Sequence, residues 1–180
     1  MKKEIFVERL KRLAPSKEDL HKYDLPDDFV NELIAKYECV PKESEDIFFN
    51  NDILLSLLGS YDLSKVEIST IIFIKSPIEN ESYFQIGKVD IDILALDKVT
   101  LQILVLDHDT PEHVLWKCAI NSNSFLEAIL LCQEFLTSKI KSSSGIDDSS
   151  IILKYVNMCT EIAGGDEYKN FYKMLLGYFD

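Results

Sequence analysis

Glycine is scarce in this chain, six in 180 residues, and most of them stand where helices would end. That leaves no material for a glycine-rich phosphate loop of the P-loop or dinucleotide type. The four cysteines, Cys39, Cys118, Cys132 and Cys159, are widely spaced and form no C-x-x-C pair. Each has an apolar neighbour, which reads as small buried hydrophobes in a reducing compartment rather than a zinc site or a disulfide framework. Apolar runs are short, with 103–106 and 128–132 among the longest, and none could span a bilayer. The basic start Met1-Lys2-Lys3-Glu4-Ile5-Phe6 is not followed by a signal core, so a cytoplasmic location is expected. There is no G-x-S-x-G elbow and no cysteine in a recognisable protease context.

Positive charge is the other shortage: 19 Lys/Arg against 31 Asp/Glu, a net charge of −12. The imbalance begins after Lys22. The first 22 residues hold seven basic and four acidic side chains, +3; the remainder holds 12 and 27, −15. An acidic body repels phosphate backbones and disfavours nucleic-acid binding. It attracts a basic protein partner, chiefly through faster association. Simple solubility is the plainer account of the same charge.

What is present suffices for a core: 47% of the residues are hydrophobic and 11% aromatic. A single α+β domain over 1–180 is expected. Ile5, Phe6, Leu10 and Leu13 have near-helical spacing, and Pro15 interrupts them. In Leu25-Pro26-Asp27-Asp28-Phe29 an aspartate can cap a helix whose face carries Phe29, Leu33, Ile34 and Tyr37. Asn50-Asn51-Asp52 offers a further cap before the apolar stretch 53–58, which Gly59 can close.

The period then changes. Thr70-Ile71-Ile72-Phe73-Ile74 reads as a buried strand, followed by a loop through Ser76-Pro77 and Glu79-Asn80-Glu81. A strand over 83–86 ends or bulges at Gly87. Ile91, Ile93 and Ala95 alternate with Asp92, Leu94 and Leu96; Leu101, Ile103 and Val105 alternate with Gln102, Leu104 and Leu106. Asp97-Lys98-Val99-Thr100 joins these two as a hairpin connection. Asp107-His108-Asp109-Thr110-Pro111 is turn chemistry, and 113–119 can form another strand. Such short connections favour antiparallel neighbours, about five strands in all. Ser124 with Glu127 matches a capping box, opening a helix striped with Phe125, Ile129, Cys132 and Leu136. A mostly polar linker from Ser142 to Ser150 leads to a helical hairpin over 149–180. Its first helix shows Ile152, Tyr155, Val156, Cys159 and Ile162 on one face and stops at Gly164-Gly165. Its second, capped by Asp166, shows Tyr168, Phe171, Tyr172, Leu175 and Phe179.

The best local cluster of candidate ligands is Asp107, His108, Asp109 and His113. Carboxylate and imidazole together can hold a divalent metal or make an acid–base pair, which would suit a small metal-dependent hydrolase. The spacing is not that of a defined metal motif, and Thr110-Pro111 makes a turn the simpler account. The acids of 79–112 include Glu81, Asp90, Asp92, Asp97, Asp107 and Asp109. Paired carboxylates could do glycosidase chemistry, partner contact is a second account, and solvated edges and turns a third.

The order of elements resembles the SUKH superfamily, which includes fungal cell-wall-assembly regulators and many bacterial immunity proteins. The likeness lies in Leu25-Pro26-Asp27-Asp28-Phe29, Phe84-Gln85-Ile86-Gly87, Ile93-Leu94-Ala95-Leu96-Asp97, Ile103-Leu104-Val105-Leu106-Asp107 and Ser124-Phe125-Leu126. It covers 25–136, within a domain core placed at 25–140. The chain has Tyr37-Glu38 where the family often has Asn-Gly, and Lys88-Val89-Asp90 where a glycine-rich turn is common. Its carboxyl-terminal helices exceed the family core. The resemblance implies a curved antiparallel sheet flanked by amino- and carboxyl-terminal helices, and a non-enzymatic role. It implies no catalytic, cofactor-binding or metal residues. Bacterial relatives neutralise a toxin, often a basic nuclease, and an acidic inhibitor would mimic phosphate charge at its cleft. Asp90, Asp92, Asp107, Asp109 and Glu112 are the candidate partner surface, since they cluster in a sheet otherwise rich in apolar residues. A scaffold role of the fungal kind and the metal-dependent hydrolase are the rival expectations.

Overall fold

The computed structural model describes residues 1–43, 52–142 and 148–179. Three helices open the chain: α1 (Lys3–Leu13), α2 (Lys17–His21) and α3 (Asp27–Ala35). A two-residue strand β1 (Val40–Pro41), helix α4 (Ile53–Ser60) and strand β2 (Tyr61–Asp62) follow, β1 and β2 pairing antiparallel. Then comes a six-stranded meander: β3 (Glu67–Ile68), β4 (Ile71–Glu79), β5 (Tyr83–Val89), β6 (Asp92–Asp97), β7 (Ile103–Leu106) and β8 (Val114–Ala119). Every neighbouring pair is antiparallel, and the sheet curls into a half-barrel. Helices α5 (Ser122–Lys141), α6 (Ser149–Ala163) and α7 (Lys169–Leu176) close the fold. The class is α+β, as expected, with β3 adding a sixth strand to the expected five. Among the described residues no helix is long and apolar enough to cross a membrane.

The core lies between one face of the sheet and α5. The cross-strand row Phe84, Leu96, Ile103 and Ala119 turns toward it. Phe6 and Leu10, one turn apart on α1, are fully buried against it, whereas Ile5 is left exposed. Leu54, Leu55, Leu57 and Leu58 of α4 are all buried. On α5 the buried set spreads well beyond the expected stripe, to Leu126, Ala128, Leu130, Gln133, Phe135 and Thr137. A helix apolar on most of its circumference must be enclosed, and α5 is packed by α1, α2, α4, α6 and α7 as well as by the sheet.

Several local expectations change. Pro26 is the N-cap of α3; Asp27 and Asp28 fall in its first turn without a side-chain cap, and favour the positive helix end by charge. Phe29 is exposed, and Val30 is the buried residue of that helix. Asp52 caps α4 through the amides of Leu54 and Leu55, as expected; Asn50 and Asn51 lie outside the described residues, as does 143–147 of the linker. The cap of α5 is Asn121, which accepts from the Ser124 amide. Glu127 serves instead as an ion-pair partner of Arg9 at 2.5 Å, tying α5 to α1. The real capping box is in α2, where Ser16 and Asp19 satisfy each other's backbone. Asp166 opens a 3-10 turn (Asp166–Tyr168) with no side-chain cap, and Phe179 is 87% exposed rather than core.

Strand β4 runs straight through Ser76-Pro77, where a loop is expected. Its register against β5 shifts between Phe73 and Ile78, and that irregularity accommodates a residue with no amide hydrogen to donate. Strand β5 bulges between Gln85 and Gly87 against β6. On its other side Gly87 approaches β4 so closely that a Cβ would stand 2.5 Å from the Ile72 carbonyl oxygen and 3.2 Å from Phe73 Cα. No flexible side chain can yield there. Gly87→Ala is therefore expected to cost about 2 kcal/mol or more, read as a fall in the urea midpoint. An unchanged midpoint would mean the two strands separate more easily than this packing implies.

Candidate acidic interaction surface

The meander alternates its turns between two ends of the sheet. Turns β3–β4, β5–β6 and β7–β8 share one end, and the Asp90 amide, donating to the Thr70 carbonyl at 3.2 Å, holds two of them together. Of the five expected surface acids, Asp90 falls in the β5–β6 connection, Asp107, Asp109 and Glu112 in the β7–β8 connection, and Asp92 opens β6 at the same end. Asp90 sits at φ 54°, a left-handed turn conformation that aspartate tolerates better than most residues. Asp92 is the first residue of β6, and its Oδ1 stands 2.9 Å from His108 Nδ1. Asp107 Oδ1 accepts from the amides of Asp109 (2.8 Å) and Thr110 (3.1 Å), building the turn. Asp107 also donates its amide to the His113 carbonyl, closing the loop.

The acids thus divide by task. Asp92 and Asp107 are half-buried and spend oxygens on the loop itself. Asp90, Asp109 and Glu112 are exposed. Between Asp90 and Asp92 stands Ile91, 69% exposed, and Val114 beside the loop is 41% exposed. These two apolar contacts at the acidic end were not foreseen from sequence.

Along the sheet from this end, the face turned away from the core is also apolar. Ala95 pairs with Leu104, and Ile93 with Leu106, which in turn meets Val114. Ala95 and Leu106 are buried yet stand outside the main core cluster. A groove of about 340 Å³ lies here, floored by Leu104, Leu106 and Val114, with Tyr83, Asp97, Pro111 and Glu112 around it. The sequence signal was the unbroken apolar run Ile103-Leu104-Val105-Leu106, which leaves no polar face to turn outward.

Electrostatics sharpen the picture. The amides of Asp109 and Thr110 hold the Asp107 carboxyl below its usual range, with further help from His108 and His113. The hydrogen bond to Asp92 raises His108 above the ordinary histidine value, with Asp109 and Asp107 adding to it against slight desolvation. Partial burial pushes the Asp97 carboxyl up, but the Thr100 amide and hydroxyl and the Val99 amide outweigh it and hold it low. The Asp107 carboxylate therefore stays charged at neutral pH, and protonation of His108 offsets part of the loop's negative charge as pH falls.

Asp92, Asp107 and His108 each bring a ligand atom within 4.8 Å of the others and could together hold a metal ion. Of the four residues in the hydrolase expectation only Asp107 and His108 belong to this group; Asp109 stands 3.5 Å from His108 Nε2, and His113 contributes its backbone to the turn. The group is open to water, and hydrogen bonds already occupy Asp92 and Asp107. Comparison of the chain with protein-family models, curated proteins and solved structures finds no match.

A group whose pKa is raised by folding stabilises the fold below its unfolded pKa, and loses that contribution as pH rises through the folded value. His108 is of this kind. Its ring protons, followed by NMR, should titrate above the ordinary value of 6.5, and Asp92→Asn should move the midpoint back down. A midpoint that Asp92→Asn leaves in place would show that the Asp92–His108 bond does not form in solution.

Proposed function

We propose that this chain is a non-enzymatic binding protein of the immunity type, which captures and neutralises a basic protein toxin through the acidic end of its sheet. The observation that carries this reading is the gathering of Asp90, Asp92, Asp107, Asp109 and Glu112 around exposed Ile91 and Val114. Protein interfaces combine a desolvated apolar anchor with a polar rim, and this end of the sheet offers both. The negative rim suits a partner with a positive cleft and would speed the encounter. The net charge of −12 favours the same class of partner over nucleic acid. That the partner is a toxin, of the class that is often a nuclease among bacterial SUKH proteins, rests on the SUKH resemblance of 25–136.

The half-buried acids that hold the loop are poor test sites, and Asp90 is held at positive φ. Asp109 and Glu112 are exposed and can be reversed without breaking the turn. The test is a low-salt pull-down from the source cells, with the bound protein released by a salt step and identified. One stoichiometric basic protein is the expected result. Asp109→Lys with Glu112→Lys should then lower its association rate about tenfold and flatten the salt dependence. Unchanged rates would remove the site assignment, and capture of no basic protein would remove the function.

A further inference from the structure

Cys132 on α5 and Cys159 on α6 face each other inside the helix pair, with Sγ atoms 3.5 Å apart. Both thiols are free and both side chains are fully buried. Around them the two helices are locked by Phe135 against Tyr155, ring centres 4.6 Å apart, and Cys159 Sγ lies 3.6 Å from the Ala128 carbonyl. A disulfide has a sulfur–sulfur bond of about 2.05 Å. The pair is therefore within about 1.5 Å of bonding. The two residues are 27 apart in sequence, so a bond between them would close a substantial loop containing the α5–α6 connection.

We propose that Cys132 and Cys159 form an oxidisable dithiol site, whose substrate is a low-molecular-weight disulfide and whose product is a disulfide that staples α6 to α5. In the first step one cysteine sulfur attacks the small disulfide, forming a mixed disulfide and releasing one small thiol. In the second, the neighbouring cysteine attacks the protein-bound sulfur and displaces the other small thiol. Two cysteine S–H bonds are consumed, one S–S bond forms, and both protons end on the two released thiols; the small disulfide is the species reduced. Burial pushes the Cys132 thiol well above the usual thiol range, with Cys159 adding to it. Both side chains are fully buried, so dissolved reagents do not reach the dithiol in the resting fold. Attack requires α6 to lift from α5, so the oxidation rate should level off with rising disulfide concentration at the rate of that opening.

The test incubates the native full-length protein with oxidised glutathione, then alkylates it in denaturant and maps the peptides. The expected product has lost two hydrogens, with Cys132 and Cys159 joined and Cys39 and Cys118 alkylated. Its melting temperature should rise by roughly 5–10 °C. Cys159→Ser should prevent the bond and the rise, and Cys39→Ser should change neither. Cys132 and Cys159 both found alkylated, in buffer and in urea below the unfolding midpoint, would overturn the proposal. A joined pair that melts at or below the temperature of the reduced protein would overturn the staple.

Discussion

The enclosure of α5 is the constraint on which the rest of this structure depends. A twenty-residue helix with buried positions on most of its circumference cannot be satisfied by one sheet face. Each large apolar side chain such as Phe125, Ile129 or Phe135 contributes roughly 1.5–3 kcal/mol only if water is excluded from it. The sheet therefore curls around one side, α1 and α4 close a second, and the carboxyl-terminal pair α6 and α7 closes the third. This makes the carboxyl-terminal helices part of the core: Val156, Cys159, Tyr168 and Tyr172 belong to the same buried cluster as Phe6 and Ile103. The Tyr172 hydroxyl, donating to the Cys118 carbonyl at 2.8 Å, pins α7 to β8 from inside.

Because the helices crowd one face of the sheet, the other face and the turn ends remain available. The meander topology then decides which acids meet. Asp92 and His108 are 16 residues apart, and an up-and-down sheet returns their turns to the same end. A chain with a crossover connection would have scattered them. The acidic surface is thus a consequence of strand order, and the apolar groove beside it follows from strands that are hydrophobic on both faces. A fixed turn matters as well: Asp107 ties down the β7–β8 loop through the amides of Asp109 and Thr110, so this part of the surface is preorganised rather than ordered on contact.

Much of this was legible in the sequence, for reasons that differ by element. The strands from 71 onward were readable because β-branched and aromatic residues were punctuated by Asp-containing turns. The break at Gly164-Gly165 was readable because both residues adopt φ 124°, which favours glycine. The strand through Pro77 was missed because the register irregularity that tolerates proline is a pairing property, invisible in one strand alone. The cap of α5 was misplaced because Asn121 and Ser124 both offer suitable oxygens, and the helix starts at Ser122 with Asn121 accepting from the Ser124 amide. Strands β1, β2 and β3 are two residues each, too short for any period to register. At the candidate surface the acids were visible but their division of labour was not, since which oxygen serves a turn depends on backbone geometry. Ile91 looked like an alternating strand residue and instead stands in the turn, exposed.

The measurement that bears most directly on the central claim is hydrogen exchange of this chain, alone and mixed with a basic protein recovered in the low-salt pull-down. The account predicts new protection confined to the connections around 90–92 and 107–114 and to the adjoining strand ends. Protection centred instead on α1, α3 or α6, with those connections exchanging as in the free chain, would contradict it.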